Sequence, residues 1–187
     1  MLLSLIVASL LVMGSPGPST ISVTAVGAAF GFRRSIAYMS GLVAGTIAVL
    51  LAVATGVVAV LLAVPQLAPV LLAASAAYIL YLAFRIATAP PLSTHDETVA
   101  APSFAGGVLL AIANPKAYVA IAAVFAASML DLLLKVAVLS AMIVLIHLVW
   151  LLAGTAFARV FHDRLWSRRV NRVFAATLVI TTAYAVL

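Results

Sequence analysis

Apolar residues run along this chain in long stretches, and the polar positions that interrupt them fall in a few short clusters. Six apolar segments result. They cover Leu2 to Phe30, Ser35 to Val64, Leu67 to Ala87, Phe104 to Leu130, Leu132 to Phe157 and Val170 to Leu187. The runs are long, do not alternate and are rich in Ala and Leu, so helices are expected and strands are not. A bilayer span needs about 20 apolar residues. The pattern therefore predicts an all-α membrane protein of six transmembrane helices. One polar stretch, "TAPPLSTHDETVAAPS" (Thr88 to Ser103), divides the chain into halves of three segments each, about 1–88 and 104–187, in a single domain.

Composition strengthens this picture. Of 187 residues, 67% are hydrophobic and 7% charged, whereas a soluble domain carries about a quarter charged residues. The formal net charge of +6 could suggest nucleic acid, but the basic residues sit at the ends of apolar runs, as membrane topology requires. No nucleic-acid partner is expected; membrane lipids are. Cysteine is absent, which removes disulfide and thiolate chemistry. Met1-Leu2-Leu3-Ser4 lacks the basic start of a secretory signal, so the first run is read as part of the membrane domain.

Lys and Arg counts set an orientation. Arg33 and Arg34, then Arg85, then Arg159, Arg164, Arg168, Arg169 and Arg172 mark the first, third and fifth loops. The second loop has no basic residue and the fourth only Lys135. Odd loops are thus expected in the cytoplasm and both termini in the periplasm. The arginines of the fifth loop could also meet anionic headgroups.

Two segments are broken in equivalent places. "MGSPGPST" (Met13 to Thr20) interrupts the first, and "NPK" (Asn114 to Lys116) the fourth. An odd number of crossings separates the halves, so they enter from opposite sides. Interrupted helices at matching positions outline an inverted repeat and mark the binding site of many transporters. Each break also reads as a new helix start. Asn114 can cap with Pro115 at the first helical position, and Ser15 before Pro16, or Gly17 before Pro18, can do the same. Two half-helix N-termini with free N–H groups would then meet, a place that attracts an anion.

Lys116 stands beside the second break, where an ionised side chain is costly and on the wrong end of the helix dipole. No segment interior offers a carboxylate: Asp96, Glu97 and Asp163 lie in loops and Asp131 at a segment edge. Its partners must be backbone carbonyls at the broken ends or a carboxylate brought by a substrate. A cavity for a small zwitterion follows, formed by Pro16, Gly17, Pro18, Ser19, Thr20, Asn114, Pro115 and Lys116. The plainer alternative is that Pro and Gly kink two helices while Lys116 caps loose carbonyls.

Other residues carry weaker signals. His147, mid-segment, could relay protons or hydrogen-bond to another helix. Ser22 and Thr24 are expected to bond to carbonyls one turn back, with Ser19 and Thr20 standing apart from them. Tyr78, Tyr81 and Trp150 could line a cavity or pack, and Trp166 and Tyr38 fit interfacial anchors. "GLVAG" (Gly41 to Gly45) suits close helix contact, within one chain or across a homodimer. His95, Asp96 and Glu97 make a poor metal site, so neither metal nor cofactor is expected. A passive channel would need a continuous polar lining that the second, third and sixth segments lack. A membrane enzyme would need a nucleophile, metal cluster or paired carboxylates, and none is present. ATP-driven transport lacks a phosphate loop. Alternating access by a secondary transporter is the leading reading, with a passive channel for small solutes and, behind it, a membrane-embedded enzyme as the alternatives.

"SPGPSTISVTAVGAAFGFRRSIAYMSGLVAG" followed by "LLAIANPKAY" resembles the LysE/RhtB superfamily of bacterial amino-acid exporters. The carrying motifs are Pro16 to Thr20, the Gly-x-Arg-Arg turn at Gly31 to Arg34, and Asn114 to Ala117. The resemblance implies a bacterial inner-membrane exporter of a small amino acid or derivative, such as lysine, arginine, homoserine or threonine, driven by proton antiport. One departure bears on the substrate. Members often carry an acidic residue after the Gly pair of the second segment, and here Thr46 follows Gly45. The fourth loop also lacks the Pro-Gln-Phe often found after the second motif. A neutral amino acid is therefore expected rather than lysine or arginine.

Overall fold

A computed structural model describes residues 1–56, 67–88, 100–160, 169 and 171–180, and among them every regular element is a helix. In chain order these are α1 (Leu2–Val12), α2 (Pro18–Ala54), α3 (Leu67–Ala87), α4 (Phe104–Ala113), α5 (Pro115–Ala126), α6 (Leu132–Val160) and α7 (Asn171–Ile180). By length and composition Pro18–Ala54 and Leu132–Phe157 could each cross a membrane, and the α4–α5 pair, bent by 64°, could form a third span.

The 37-residue α2 is folded rather than straight. Gly31 adopts φ 75° and ψ 170°, a conformation open to glycine and costly for other residues. Beyond it the chain doubles back. The Tyr38 hydroxyl donates to Ser22 Oγ at 3.1 Å, although 16 residues of straight helix would separate them by about 24 Å. Ser35 Oγ bridges the corner, reaching the carbonyls of Gly31 (2.6 Å) and Val26 (3.1 Å). The Gly31–Arg34 turn therefore joins two limbs, 18–30 and 32–54. The second limb ends at Ala54, short of the Val64 expected, because Gly56 turns left-handed at φ 76°. Positions 57–66 lie outside the described residues.

Limb 18–30 is the centre of the molecule, buried at every residue. It packs against α6, while limb 32–54 packs against α4. Small residues set these distances. A Cβ on Gly41 would fall 2.0 Å from the Phe104 carbonyl oxygen, and one on Gly107 would fall 2.2 Å from that of Tyr38. The GLVAG stretch is thus used for packing within one chain. Phe30, Tyr38, Leu42, Ile79, Leu82, Leu110, Leu151 and Leu178 gather in the main core, and apolar side chains such as Leu11, Val119 and Leu133 face outward, as a lipid solvent allows.

Tyr38 is a correction to the sequence reading. It is not an interfacial anchor but a fully buried core residue, because the fold at Gly31 lays its helix along limb 18–30 and gives its hydroxyl a partner there. Trp166, His95, Asp96 and Glu97 lie outside the described residues.

Candidate functional site

The two breaks are built as the local sequence dictates, and the fold brings them face to face. In the second, Asn114 caps α5: its Oδ1 accepts from the Lys116 amide at 3.1 Å, and Pro115 takes the first helical position, where no N–H is needed. In the first, Gly17 is the cap residue of α2 and Pro18 opens the helix. Glycine has no side chain to cap with, so Thr20 works in reverse, its Oγ1 accepting the Gly17 N–H at 2.9 Å. Of the two starts open from sequence, Gly17-Pro18 is the one used.

Polar groups then cross between the breaks. Asn114 Nδ2 donates to Ser19 Oγ at 2.8 Å. Lys116 Nζ, half-buried, donates to the Ser15 carbonyl (2.5 Å), Ser15 Oγ (2.8 Å) and the Pro16 carbonyl (3.0 Å). An ammonium has three N–H donors, and all three are spent here. Of the two kinds of partner expected for this lysine, the structure holds the carbonyls. Gly17 makes room for it, since a Cβ there would fall 2.6 Å from Lys116 Cδ.

Backbone carbonyls freed by the breaks are taken up from several directions. Ser15 Oγ donates to Val12, Trp150 Nε1 to Gly14 at 3.1 Å, and the Tyr118 hydroxyl to Ile112 at 2.7 Å. The roles of Trp150 and Tyr118 were not legible as such. The signal lay in spacing: Ile143, Ile146, His147 and Trp150 recur at helical intervals on one face of α6. Ser22 and Thr24 bond to the carbonyls of Ser19 and Thr20, one turn back as expected.

Beside the crossing lies a cavity of about 40 Å³. Gly17, Ser19 and Thr20 line it from the first break, and Asn114 and Lys116 from the second. Thr46 comes from limb 32–54 and His147 from α6, with Met13, Ile121, Ile143 and Ile146 among the apolar walls. Pro16, Pro18 and Pro115 shape the breaks without lining this space. Among the described residues no Asp or Glu lines it, and no cluster of metal-ligating side chains occurs. Thr46, which follows Gly45 in the second limb, is buried and donates to the Leu42 carbonyl at 2.7 Å. His147 bonds within its own helix, Nδ1 lying 2.8 Å from the Ile143 carbonyl, and of the two roles open to it from sequence the bond to another helix is not made among the described residues.

Comparison with known proteins bears on this arrangement directly. The family model described as LysE type translocator matches residues 10–187. A cysteine/O-acetylserine efflux protein of Escherichia coli (strain K12) is 33% identical over 175 residues, covering 88% of this chain and 87% of its own length. The protein of that name from Shigella flexneri matches to the same extent. That from Salmonella typhi is 30% identical over 174 residues, again with 88% and 87% covered. No solved structure matches. This chain therefore belongs to the LysE type translocator family, a group of transporters and not of enzymes.

Proposed function

We propose that the chain exports a small neutral amino acid or amino-acid derivative across the bacterial inner membrane, as a proton-coupled secondary transporter working by alternating access. Cysteine and O-acetylserine are the first substrates to consider, since the relatives carry those names. The observation that carries this reading is the meeting of the two breaks beside a cavity that polar groups of both breaks line, with Lys116 between them. Matching breaks support six spans arranged as two inverted repeats, and the arginine distribution supports periplasmic termini.

The substrate carboxylate binds at Lys116 and the N-terminal amides of Ser19 and Thr20, which fall among the groups a helix start leaves open. In the structure Lys116 is clasped to the carbonyls of Ser15 and Pro16. A carboxylate competes for those donors, so binding loosens the tie between the repeats and lets them rock. His147 carries the coupled proton. Apolar walls at Met13, Ile121, Ile143 and Ile146 favour a gated carrier over an open pore.

Reconstitution in liposomes tests the reading by counterflow of labelled cysteine, O-acetylserine, lysine and glutamate. Saturable exchange of the neutral compounds is expected, falling at least about tenfold in Lys116→Ala, the equivalent of about 1.4 kcal/mol. Unchanged exchange in that variant would return Lys116 to a structural role.

A further inference from the structure

One buried side-chain nitrogen of the cavity-lining residues stands without a hydrogen-bond partner among the described residues. His147 is 5% exposed and lines the cavity from α6. Its Nδ1 is 2.8 Å from the Ile143 carbonyl, which can only accept, so Nδ1 carries the hydrogen. In a neutral ring Nε2 is then a bare acceptor. Nε2 is buried and has no hydrogen-bond partner among the described residues. The two nitrogens sit on opposite flanks of the ring, so Nε2 faces away from the carbonyl that holds Nδ1. An unpartnered buried acceptor costs about 1–3 kcal/mol, and one beside a cavity calls for a ligand that donates.

The other side-chain acceptors on the wall are hydroxyl and amide oxygens, weaker acceptors than an imidazole nitrogen and each already in a hydrogen bond. The Thr46 hydroxyl donates to Leu42, and Thr20 Oγ1 is held at Gly17. Asn114 uses Oδ1 on Lys116 and Nδ2 on Ser19. Titratable or charged groups lining the space are Lys116, from α5, and His147 itself; α1 and both limbs of α2 contribute none. With no carboxylate on the wall among the described residues, an entering ammonium finds its strongest side-chain acceptor at Nε2.

We propose that His147 Nε2 is the seat of the substrate's α-ammonium, and that a proton and the substrate's amine occupy this one lone pair by turns. This rests on the exporter reading above and deepens it, since it names the amine as the recognised group and exclusion as the means of coupling. On the cytoplasmic side the neutral imidazole accepts from the ammonium while Lys116 meets the carboxylate. On the outer side a proton from water forms the Nε2–H bond, the hydrogen bond to the amine breaks, and the zwitterion leaves. The protonated ring returns and releases that proton to cytoplasmic water. One proton enters for each zwitterion exported, and no electrons move.

The test uses the full chain in liposomes and counterflow of labelled L-cysteine between about pH 4 and 8, a window wider than the one in which a free imidazole titrates, as a buried ring requires. Because the protein has no cysteine, the reductant that protects the substrate leaves it untouched. In wild type, competition by protons should raise the apparent KM about tenfold per pH unit below the titration of His147. N-acetyl-L-cysteine, which keeps the carboxylate and lacks the ammonium, should fail to compete. His147→Gln retains an acceptor that does not titrate: its KM should be several-fold higher yet flat with pH, and a pH gradient should no longer drive accumulation. His147→Leu should raise KM at neutral pH at least tenfold. An acid response in His147→Gln equal to wild type, or competition by N-acetyl-L-cysteine equal to cysteine, overturns the proposal while leaving the exporter reading intact. A folded wild type that exchanges no amino acid overturns both.

Discussion

Asn114 is one of two side chains that tie the breaks together, the other being Lys116, and a single substitution removes its share. Asn114→Ala removes two interactions at once: the cap on the Lys116 amide at 3.1 Å and the bond to Ser19 Oγ at 2.8 Å. Losing an N-cap costs about 0.5–2 kcal/mol, typically about 1. Side-chain bonds between membrane helices average about 0.6 kcal/mol and reach about 1.7, because the unfolded chain in a membrane also finds partners. The sum is about 1.5–2.5 kcal/mol, with the cap as the larger share. Asn114→Ser restores a capping oxygen and should recover roughly 1 kcal/mol. A double-mutant cycle with Ser19→Ala isolates the bond between the breaks, read as unfolding free energy in mixed micelles by circular dichroism. Its coupling energy should be about 0.6 kcal/mol or more, and transport should fall further than stability, since both residues line the cavity. Additivity within about 0.3 kcal/mol, the level seen for independent sites, would refute the idea that this bond ties the two halves together.

Thr46 is buried at the cavity wall, so Thr46→Asp places a carboxylate where a cationic side chain could use it. Counterflow of lysine should appear and the lysine-to-cysteine ratio should rise at least about tenfold, about 1.4 kcal/mol; an unchanged preference would remove Thr46 from specificity. Gly107→Ala tests the small-residue seam: its Cβ would meet backbone atoms of Tyr38 and Leu42 at 2.2 and 2.7 Å, which cannot step aside as a flexible side chain can. Overpacking of this kind costs about 1–3 kcal/mol, which should lower the melting midpoint by about 2–4 °C per kcal/mol in a chain of this size, and an unchanged midpoint would show that the helices have slack.

Much of the site was legible because proline and glycine leave few choices. Pro115 has no N–H and Asn114 has a short acceptor, so a helix start there follows from the two residues alone. Pro16 and Pro18 left two starts open in the first break, and the choice was made by Thr20, whose hydroxyl reaches Gly17 only once the helix has formed. The fold at Gly31 was read as a turn, yet its consequence for Tyr38 was not. A tyrosine several residues past a pair of arginines looks interfacial until limb 32–54 is laid against limb 18–30. Trp150 and Tyr118 illustrate a different limit. Each donates to a carbonyl freed by a break, and such pairings depend on which helix faces which, information that periodicity within one segment does not hold.

The breaks also explain why polar residues in this chain are so few and so concentrated. Each interrupted helix frees carbonyls and amides that lipid cannot satisfy. One break could be satisfied only by importing polar side chains from its neighbours. Two breaks set against each other share the cost: Lys116 serves the carbonyls of Ser15 and Pro16, and Asn114 serves both its own helix and Ser19. The same economy makes the arrangement switchable. Lys116 is a cation on the positive end of a helix, held by neutral carbonyls and with no anion lining the space beside it. Any carboxylate that enters offers it a stronger, charge-assisted bond than a carbonyl does, so under the proposed carboxylate site the tie between the breaks is the contact a substrate would take.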